Sequence, residues 1–517
     1  MKKIKKFIPY IIIVLIAIIF LSIPTIIFAD TNLYYKTAKI LLGLEELSNW
    51  PIVRGPSLAL ILYPFLKILG NNEFSIRICM CIFYLIMIIT SYNFTKKETN
   101  NLLTKKENKT KIIVYSIYIL LIVLNPIIFG YYHGILTEFA ANTISIINLI
   151  LITKINNKEN ISNKHYIILL IYSCFIFTFS WFLKQPYFTI SFFPYLTLLF
   201  LKLKNKNNRL KTTILFIVPI IFLILSINIW KNFLISKDLN YLNTDNNNFY
   251  ISKAIIDGNS NYEKDVTREI YTIEGIHHNF VLTEEDRELI LEKLENNDKK
   301  YIVYYVHNIK GEVIDTEVFT YKNERFTSIE ALKFVLKAFV KHPIIVIDSY
   351  ISNYLASINI YSTYQGGNYY RPYKNPKNVY GENGIIGLGF LSDIETNYKG
   401  LVGEEKITEE IEIKYNSIDK LGIIKLLGFY YLLLYKIQYL ILPILWLILL
   451  IKVLKNKRQY ETSFIFINFV FMHSLFHIFM GAMIDRYIYI TYPAYILGII
   501  CFILAIKNSK TKLSTKS

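Results

Sequence analysis

Long apolar stretches recur along the chain, and they constrain its fold more than any other feature. The 517 residues are 53% hydrophobic, with a mean hydropathy of +0.35. Because backbone N–H and C=O groups must be satisfied inside a bilayer, such stretches cross it as helices of about 20 residues. We therefore predict an all-α polytopic membrane protein with about ten transmembrane helices. The predicted spans are approximately residues 7–28, 74–94, 112–129, 136–153, 166–183, 187–201, 212–234, 436–452, 463–483 and 487–506.

The distribution of charge predicts which side of the membrane each loop faces. The net charge is +18, yet residues 237–425 hold 22 Lys and Arg against 29 Asp and Glu, and the rest of the chain holds 35 against 10. The basic excess lies in short loops between spans, which is the pattern of cytoplasmic loops. It predicts a multi-pass protein of the cell membrane with both termini cytoplasmic and the first span retained. It does not indicate a nucleic-acid partner.

The same reading divides the chain into three regions. We predict a transmembrane catalytic core with the first outer loop at 1–235, a large extracytoplasmic region at 236–425, and three final spans with a short cytoplasmic tail at 426–517. In the first outer loop, the apolar segment Ser57–Leu69 is too short to cross and predicts an interfacial helix. Residues 257–325 are polar enough to form part of a mixed outer subdomain.

Ionisable residues lie at the mouths of several spans, all on the predicted outer side. A charge at the end of a span is costly unless it faces water or a buried site, which makes such residues functional candidates. They are Asp30 after the first span, Glu138 at the start of the fourth, Lys184 between the fifth and sixth, and the triplet Asp485-Arg486-Tyr487 before the last. Their shared side predicts an enzyme that works at the outer membrane surface.

These side chains divide into carboxylates and cations with different chemistry. A carboxylate such as Asp30 can take the proton of an attacking hydroxyl, and Glu138 is suited to orient the acceptor or the base. Fixed cations stabilise the charge that develops on a phosphate leaving group. The candidates for that role are Arg486, held in place by Asp485, together with Lys184 and Arg54.

Each candidate also has a structural alternative. Asp30 can simply end a helix at the headgroup level, Glu138 can cap the start of its helix, and Arg486 can form a surface ion pair. His133, in the turn before Glu138, is better explained as a loop residue than as a ligand. The order and sidedness of the whole set favour the functional interpretation.

Nothing in the sequence indicates a metal or another cofactor. The cysteines lie in apolar stretches and read as small hydrophobic side chains. His473 and His477 share one face of a helix, but no third ligand is visible, so we predict that they pack inside the bundle. The sequence is compatible with a divalent metal near the carboxylates, but no motif in it indicates one.

The order of these features resembles one family of membrane enzymes. An Asp after the first span, the segment Pro-Ser-Leu-Ala-Leu-Ile-Leu-Tyr-Pro-Phe-Leu-Lys-Ile-Leu-Gly at 56–70, and Arg77 at the start of the second span resemble the GT-C glycosyltransferases. The branch is the one that includes protein O-mannosyltransferases and the aminoarabinose transferases of lipid A. Thr137-Glu138, Lys184-Gln185-Pro186 and the triplet at 485–487 fit it as well. The resemblance covers residues 1–235 and, loosely, the last two spans.

The resemblance implies an activity and its partners. Such enzymes transfer a sugar from a polyprenyl-phosphate carrier to a glycan, lipid or protein acceptor at the outer face, with inversion at the anomeric carbon. Asp30 takes the position of their catalytic base, and Tyr487 and His133 are expected to support the site. Family members often have a second acid after this Asp, but Thr31 stands there, which argues against a metal role.

Two other classes of membrane protein remain as alternatives. A polysaccharide polymerase or ligase uses lipid-diphosphate glycans and also has large outer loops, but its key residues are expected in two late outer loops. A transporter or flippase places ionisable residues in mid-bilayer and has repeat symmetry. Here the charges lie at one face, and no internal repeat is evident.

Overall fold

The computed structural model describes residues 4–22, 25, 31–51, 54–103, 107–158, 162–205, 209–237, 268–271, 277–280, 300–307, 313–321, 422–479 and 489–514, with four single positions between 340 and 354. Most of these residues are helical. In chain order the α-helices are α1 Ile4–Ser22, α2 Thr31–Leu41, α3 Ser57–Leu69, α4 Glu73–Leu102, α5 Asn108–Tyr118, α6 Pro126–Tyr132, α7 Glu138–Asn156, α8 Asn163–Leu183, α9 Thr189–Lys204, α10 Arg209–Ser236, α11 Gly422–Leu454, α12 Glu461–Phe479 and α13 Tyr492–Ser514.

Eight of the described helices are long and apolar enough to cross a membrane. They are α4, α7, α8, α9, α10, α11, α12 and α13. The predicted helical architecture is confirmed, and these eight helices are compatible with a multi-pass membrane protein. The first predicted span corresponds to α1, which contributes a shorter apolar helix over Ile11–Ser22. The predicted helix at Ser57–Leu69 is present as α3, also shorter than a crossing.

The predicted span over 112–129 is not one continuous helix. A π-helical turn follows α5, and the chain then breaks at Asn125 before Pro126 begins α6. Proline has no N–H to donate and disfavours helical geometry at the residue before it. The Asn125 side chain compensates for the break, because its Nδ2 donates to the carbonyl of Leu121 (3.2 Å) and its Oδ1 accepts from the amide of Ile128 (3.2 Å).

The core of the helical unit lies around α7, which packs against α4 and α9. Ile146, Leu149 and Ile152 of α7 are fully buried. α8 and α10 instead present apolar surface, with Ile171 66% and Ile229 70% exposed. Apolar surface of this extent marks a contact with something other than water, and a lipid environment suits it.

A second compact unit holds the four short strands that the structure describes. β1 Arg268–Tyr271 pairs antiparallel with β2 His277–Phe280, so that Arg268 lies opposite Phe280. β3 Lys300–His307 pairs antiparallel with β4 Val313–Tyr321, with Lys300 opposite Tyr321 and an irregularity near the end of β3. The end of α12 from Ser474 belongs to this unit as well. The strands fall in the region that the sequence places outside the membrane.

A buried carboxylate joins three segments at one end of the helical unit. Glu461 opens α12 and accepts hydrogen bonds from Asn156 Nδ2 (2.8 Å) and Asn205 Nδ2 (3.0 Å), one on each oxygen. Lys202 of α9 donates to the backbone oxygens of Asn156 and Lys158, both at 2.8 Å. Charge-assisted bonds of this kind are stronger than neutral ones away from water. They hold the ends of α7 and α9 against the start of α12.

Replacement of Glu461 by alanine is expected to destabilise the helical unit. The change leaves the buried amide of Asn156 and the partly buried amide of Asn205 without their acceptor, at a cost of about 2 kcal/mol. The melting temperature of the purified protein in detergent measures the effect. Glu461→Gln keeps one acceptor oxygen and should fall between the wild type and Glu461→Ala. Lys457→Ala, at an exposed position in the preceding loop, is the control; an equal loss there would contradict this role for Glu461.

Candidate active site

Half of the eight predicted site residues lie in the described ranges. These are Arg54, His133, Glu138 and Lys184. Asp30, Asp485, Arg486 and Tyr487 lie outside the described residues. Thr31 and Tyr489, which flank them in the chain, are described.

Glu138 and Lys184 come together as a buried ion pair. Lys184 Nζ lies 3.8 Å from Glu138 Oε1, and the two side chains are 7% and 1% exposed. Glu138 opens α7, where the N-terminal helix dipole favours a negative charge. Lys184 directly follows α8 in extended conformation. Glu138 and Lys184, which the sequence places at the ends of different predicted spans, therefore contact each other.

The turn that carries Lys184 is held rigidly. The Tyr187 amide donates to the Lys184 carbonyl at 2.7 Å, and Lys184 Nζ lies 5.9 Å from the centre of the buried Tyr187 ring. Thr189 follows; its hydroxyl lies 2.8 Å from Nδ1 of His473 on α12. This contact agrees with the predicted packing role of His473. Within the described part of the chain, no group of three His, Cys, Asp or Glu side chains is arranged to hold a metal ion.

His133 occupies a buried turn between α6 and α7. Its ring stacks on Phe20 of α1 with 3.8 Å between ring centres and lies 4.6 Å from that of Phe129. The side chain is 1% exposed. As predicted, His133 is in a turn, but the packing against α1 was not evident from the sequence. It fixes the segment that leads into Glu138.

The start of α2 is tied to the same turn. The buried Thr31 hydroxyl donates to the carbonyl of Ile135 at 3.1 Å, three residues before Glu138. One turn further along α2, Tyr35 donates to Asn71 Oδ1 at 2.6 Å. Burial raises the pKa of the Tyr35 phenol above its ordinary value, so the phenol keeps its proton to a higher pH than an exposed tyrosine does. The first turn of α2 is therefore fixed relative to Glu138.

Residues that follow the 485–487 triplet reach the same region. Tyr489 stacks on Tyr131 with 5.0 Å between ring centres, and its hydroxyl donates to Asn125 Oδ1 at 3.1 Å. Tyr489 is 2% exposed, so this contact is part of the interior. The segment 125–138 therefore contacts Thr31, which follows Asp30 in the chain, and Tyr489, which follows the 485–487 triplet.

Arg54 belongs to the first predicted outer loop, which packs on the end of α8. Its guanidinium lies 4.7 Å from the centre of the Tyr34 ring, in the first turn of α2. At the next residue, a Cβ on Gly55 would lie 2.1 Å from the carbonyl oxygen of Phe182. Only glycine permits this close approach of two backbones. The contact holds Arg54 near the chain segment that ends in Lys184.

Arg77, which contributes to the family resemblance, has a structural role at the end of α1. Its Nε donates to Glu73 Oε1 at 3.0 Å, and its Nη1 donates to the carbonyl of Leu21 at 2.8 Å. Glu73 Oε1 also accepts from the amide of Thr25 at 2.9 Å. The pair therefore holds the last turn of α1 and the backbone of Thr25 against the start of α4.

Several residues of this cluster were not predicted. They are Phe20, Tyr34, Tyr131, Tyr187 and Tyr489. The chain has 41 tyrosines, so one more near a span carries little signal in the sequence. In the sequence, only the short distance of these residues along the chain from the charged candidates or their neighbours distinguishes them from the other aromatic residues.

Comparisons of the chain with protein-family models, with curated proteins and with solved structures found no match. The contacts described above are therefore the basis for a function. These contacts form a closed series. Thr31 of α2 bonds the turn before Glu138, and Glu138 pairs with Lys184 at the end of α8. Phe182 of α8 contacts Gly55, and the neighbouring Arg54 contacts Tyr34 of α2.

The Glu138–Lys184 pair is expected to be coupled energetically. Glu138→Gln or Lys184→Met alone leaves the other charge buried without its counterion, which costs about 3 kcal/mol. The double variant removes both charges and should regain part of the stability lost by either single change. Melting temperatures of the four proteins in detergent give the coupling. Strictly additive losses would mean that the two charges do not interact.

Proposed function

We propose that this protein is a membrane glycosyltransferase of the GT-C type, which transfers a sugar from a polyprenyl-phosphate carrier to a glycan, lipid or protein acceptor at the extracytoplasmic face. The observation that carries the proposal is the buried Glu138–Lys184 pair, at the meeting point of three segments that the charge pattern places outside. Ionisable side chains buried in the interior of a helical membrane protein are typical of functional sites.

The topology that goes with this proposal has ten crossings, with both termini cytoplasmic. The eight long apolar helices account for eight of them. α1 supplies the first, and the broken pair α5 and α6 supplies the third, since irregular backbone is tolerated at membrane depth where protein buries it. α2 and α3 then lie at the outer surface, and the region 236–425 stands outside.

Asp30 is the proposed general base. It is joined by one peptide bond to Thr31, so the two Cα atoms are about 3.8 Å apart, and Thr31 is bonded to the turn before Glu138. Its carboxylate takes the proton of the acceptor hydroxyl as the oxygen attacks the anomeric carbon. Glu138 orients the base or the acceptor from the start of α7.

The cations are proposed to bind the phosphate of the carrier. The bond from the anomeric carbon to the phosphate oxygen breaks during transfer, and the negative charge left on the phosphate needs fixed positive groups. Arg54 directly precedes Gly55 and Lys184 follows Phe182 by two residues, so the Gly55–Phe182 contact brings their two segments together. An ammonium has three N–H donors and can contact phosphate while it remains near Glu138. Arg486, with Asp485, joins them from the segment before Tyr489, supported by Tyr487 and His133.

Asp30→Asn is expected to lower transfer by at least about 100-fold, the usual contribution of a general base. The measurement is sugar release from radiolabelled undecaprenyl-monophosphate sugars by purified protein in detergent. Glu46→Gln, an exposed carboxylate in the same predicted outer loop, is the matched control and should retain activity. Full activity of Asp30→Asn would exclude Asp30 as the base. Turnover with lipid-diphosphate glycans alone would favour a polymerase or ligase.

The sidedness can be tested separately from activity. In a background without the four native cysteines, Glu46→Cys should react with an impermeant maleimide in intact cells. Lys457→Cys, between α11 and α12, should react only after the membrane is permeabilised. Both positions are exposed, so access to reagent is decided by the membrane. The opposite labelling pattern would overturn the proposed orientation and place the candidate site at the cytoplasmic face.

A further inference from the structure

Gln438 of α11 is buried without a hydrogen-bond partner. It is 0% exposed, and among the residues that the structure describes neither its amide nitrogen nor its amide oxygen has a hydrogen-bond partner. The opposite side of α11 is apolar and open, with Leu440 53% and Leu447 52% exposed. A side-chain amide can donate two hydrogen bonds and accept two, and burying it with none is unfavourable. In a membrane helix such a group ordinarily bonds a neighbouring helix.

Tyrosine side chains surround the same face of α11. Tyr435 lies one turn before Gln438, and its hydroxyl is 2.9 Å from that of Tyr439. The Tyr435 ring also lies 4.6 Å from Tyr489 and 5.7 Å from Tyr492, measured between ring centres. All four rings are at most 2% exposed. Gln438 therefore belongs to a buried, polar-edged aromatic cluster.

This cluster adjoins the candidate active site. Tyr489 links the two, because it contacts Tyr435 on one side and both Tyr131 and Asn125 on the other. A further charge lies next to the cluster: Lys436 is 1% exposed, with Nζ 5.8 Å from the centre of the Tyr435 ring.

We propose that Gln438, Tyr435 and Tyr439 bind the sugar ring of the lipid-linked donor. The inference rests on the glycosyltransferase function proposed above. The C–H faces of a sugar pack on aromatic rings, and its hydroxyls both donate and accept, as the amide of Gln438 does. The donor is favoured over the acceptor because its sugar is attached to an anionic phosphate, and Lys436 places a buried cation beside the tyrosines. Since Gln438 is fully buried, the sugar reaches it only when a neighbouring side chain moves.

Gln438→Leu tests this site. Affinities of the purified full-length protein in nanodiscs are measured for undecaprenyl phosphate and for the same lipid linked to glucose, mannose, galactose or arabinose. The wild type should bind at least one sugar-linked lipid more tightly than the bare lipid, by about tenfold, which corresponds to one or two hydrogen bonds. Gln438→Leu should lose that preference and keep its affinity for the bare lipid.

Two controls separate binding from folding. Gln459→Leu makes the same substitution near α13, where Gln459 Nε2 donates to the carbonyl of Ala505 at 3.4 Å, and should keep the preference. Tyr439→Phe removes one hydroxyl and should reduce the preference even if Gln438→Leu does not fold. A packing role alone predicts an unchanged preference with an equal or higher melting temperature.

The outcomes distinguish the two proposals. If the wild type and Gln438→Leu prefer the sugar-linked lipid equally, the sugar site is wrong and the glycosyltransferase proposal stands. If the wild type gains nothing from any sugar on the lipid, or binds no lipid monophosphate, the donor class itself is wrong.

Discussion

The ion pair between Glu138 and Lys184 places two opposite charges in the interior of the helical unit, 3.8 Å apart. Neither charge is stable there alone, because removing an ion from water costs more than the rest of the local packing can return. The start of α7 and the end of α8 must therefore stay together. Thr31 and Gly55 attach the first predicted outer loop to these same two points, at Ile135 and at Phe182. Both points of attachment lie within three residues of the ion pair along the chain.

Polar contacts between helices have a different purpose at the other end of the unit. Glu461 has both oxygens bonded, to Asn156 and Asn205, and Asn468 donates to Thr197 at 2.7 Å between α12 and α9. Lipid tails are as apolar as leucine side chains, so apolar burial contributes little to helix association in a bilayer. Helix association is instead stabilised by interhelical hydrogen bonds and close packing. This explains why buried polar side chains occur along the whole length of α7.

The sequence predicted a helix correctly where the length of an apolar stretch was enough to identify it. The helix at Ser57–Leu69 and the eight long helices follow from composition alone. The break at Asn125 was missed because the apolar run continues through it, although Pro126 was a local signal. At the candidate site, the sequence placed Glu138 and Lys184 on one side but could not pair them, since they are far apart in the chain. The tyrosines around Gln438 could not be singled out among 41, because burial and ring contacts depend on the tertiary fold.

Gln438 and Glu461 illustrate two solutions to the same physical problem. Both are buried polar side chains on long, largely apolar helices. Glu461 uses both oxygens for bonds within the protein, which suits a group whose task is to hold helices together. Gln438 uses neither of its polar atoms in this way. A leucine would fill a similar space without the cost of an unsatisfied amide. A side chain that must hydrogen-bond a substrate cannot also have those bonds made permanently by the fold. The loss of stability from the unsatisfied amide of Gln438 is therefore what a binding role predicts.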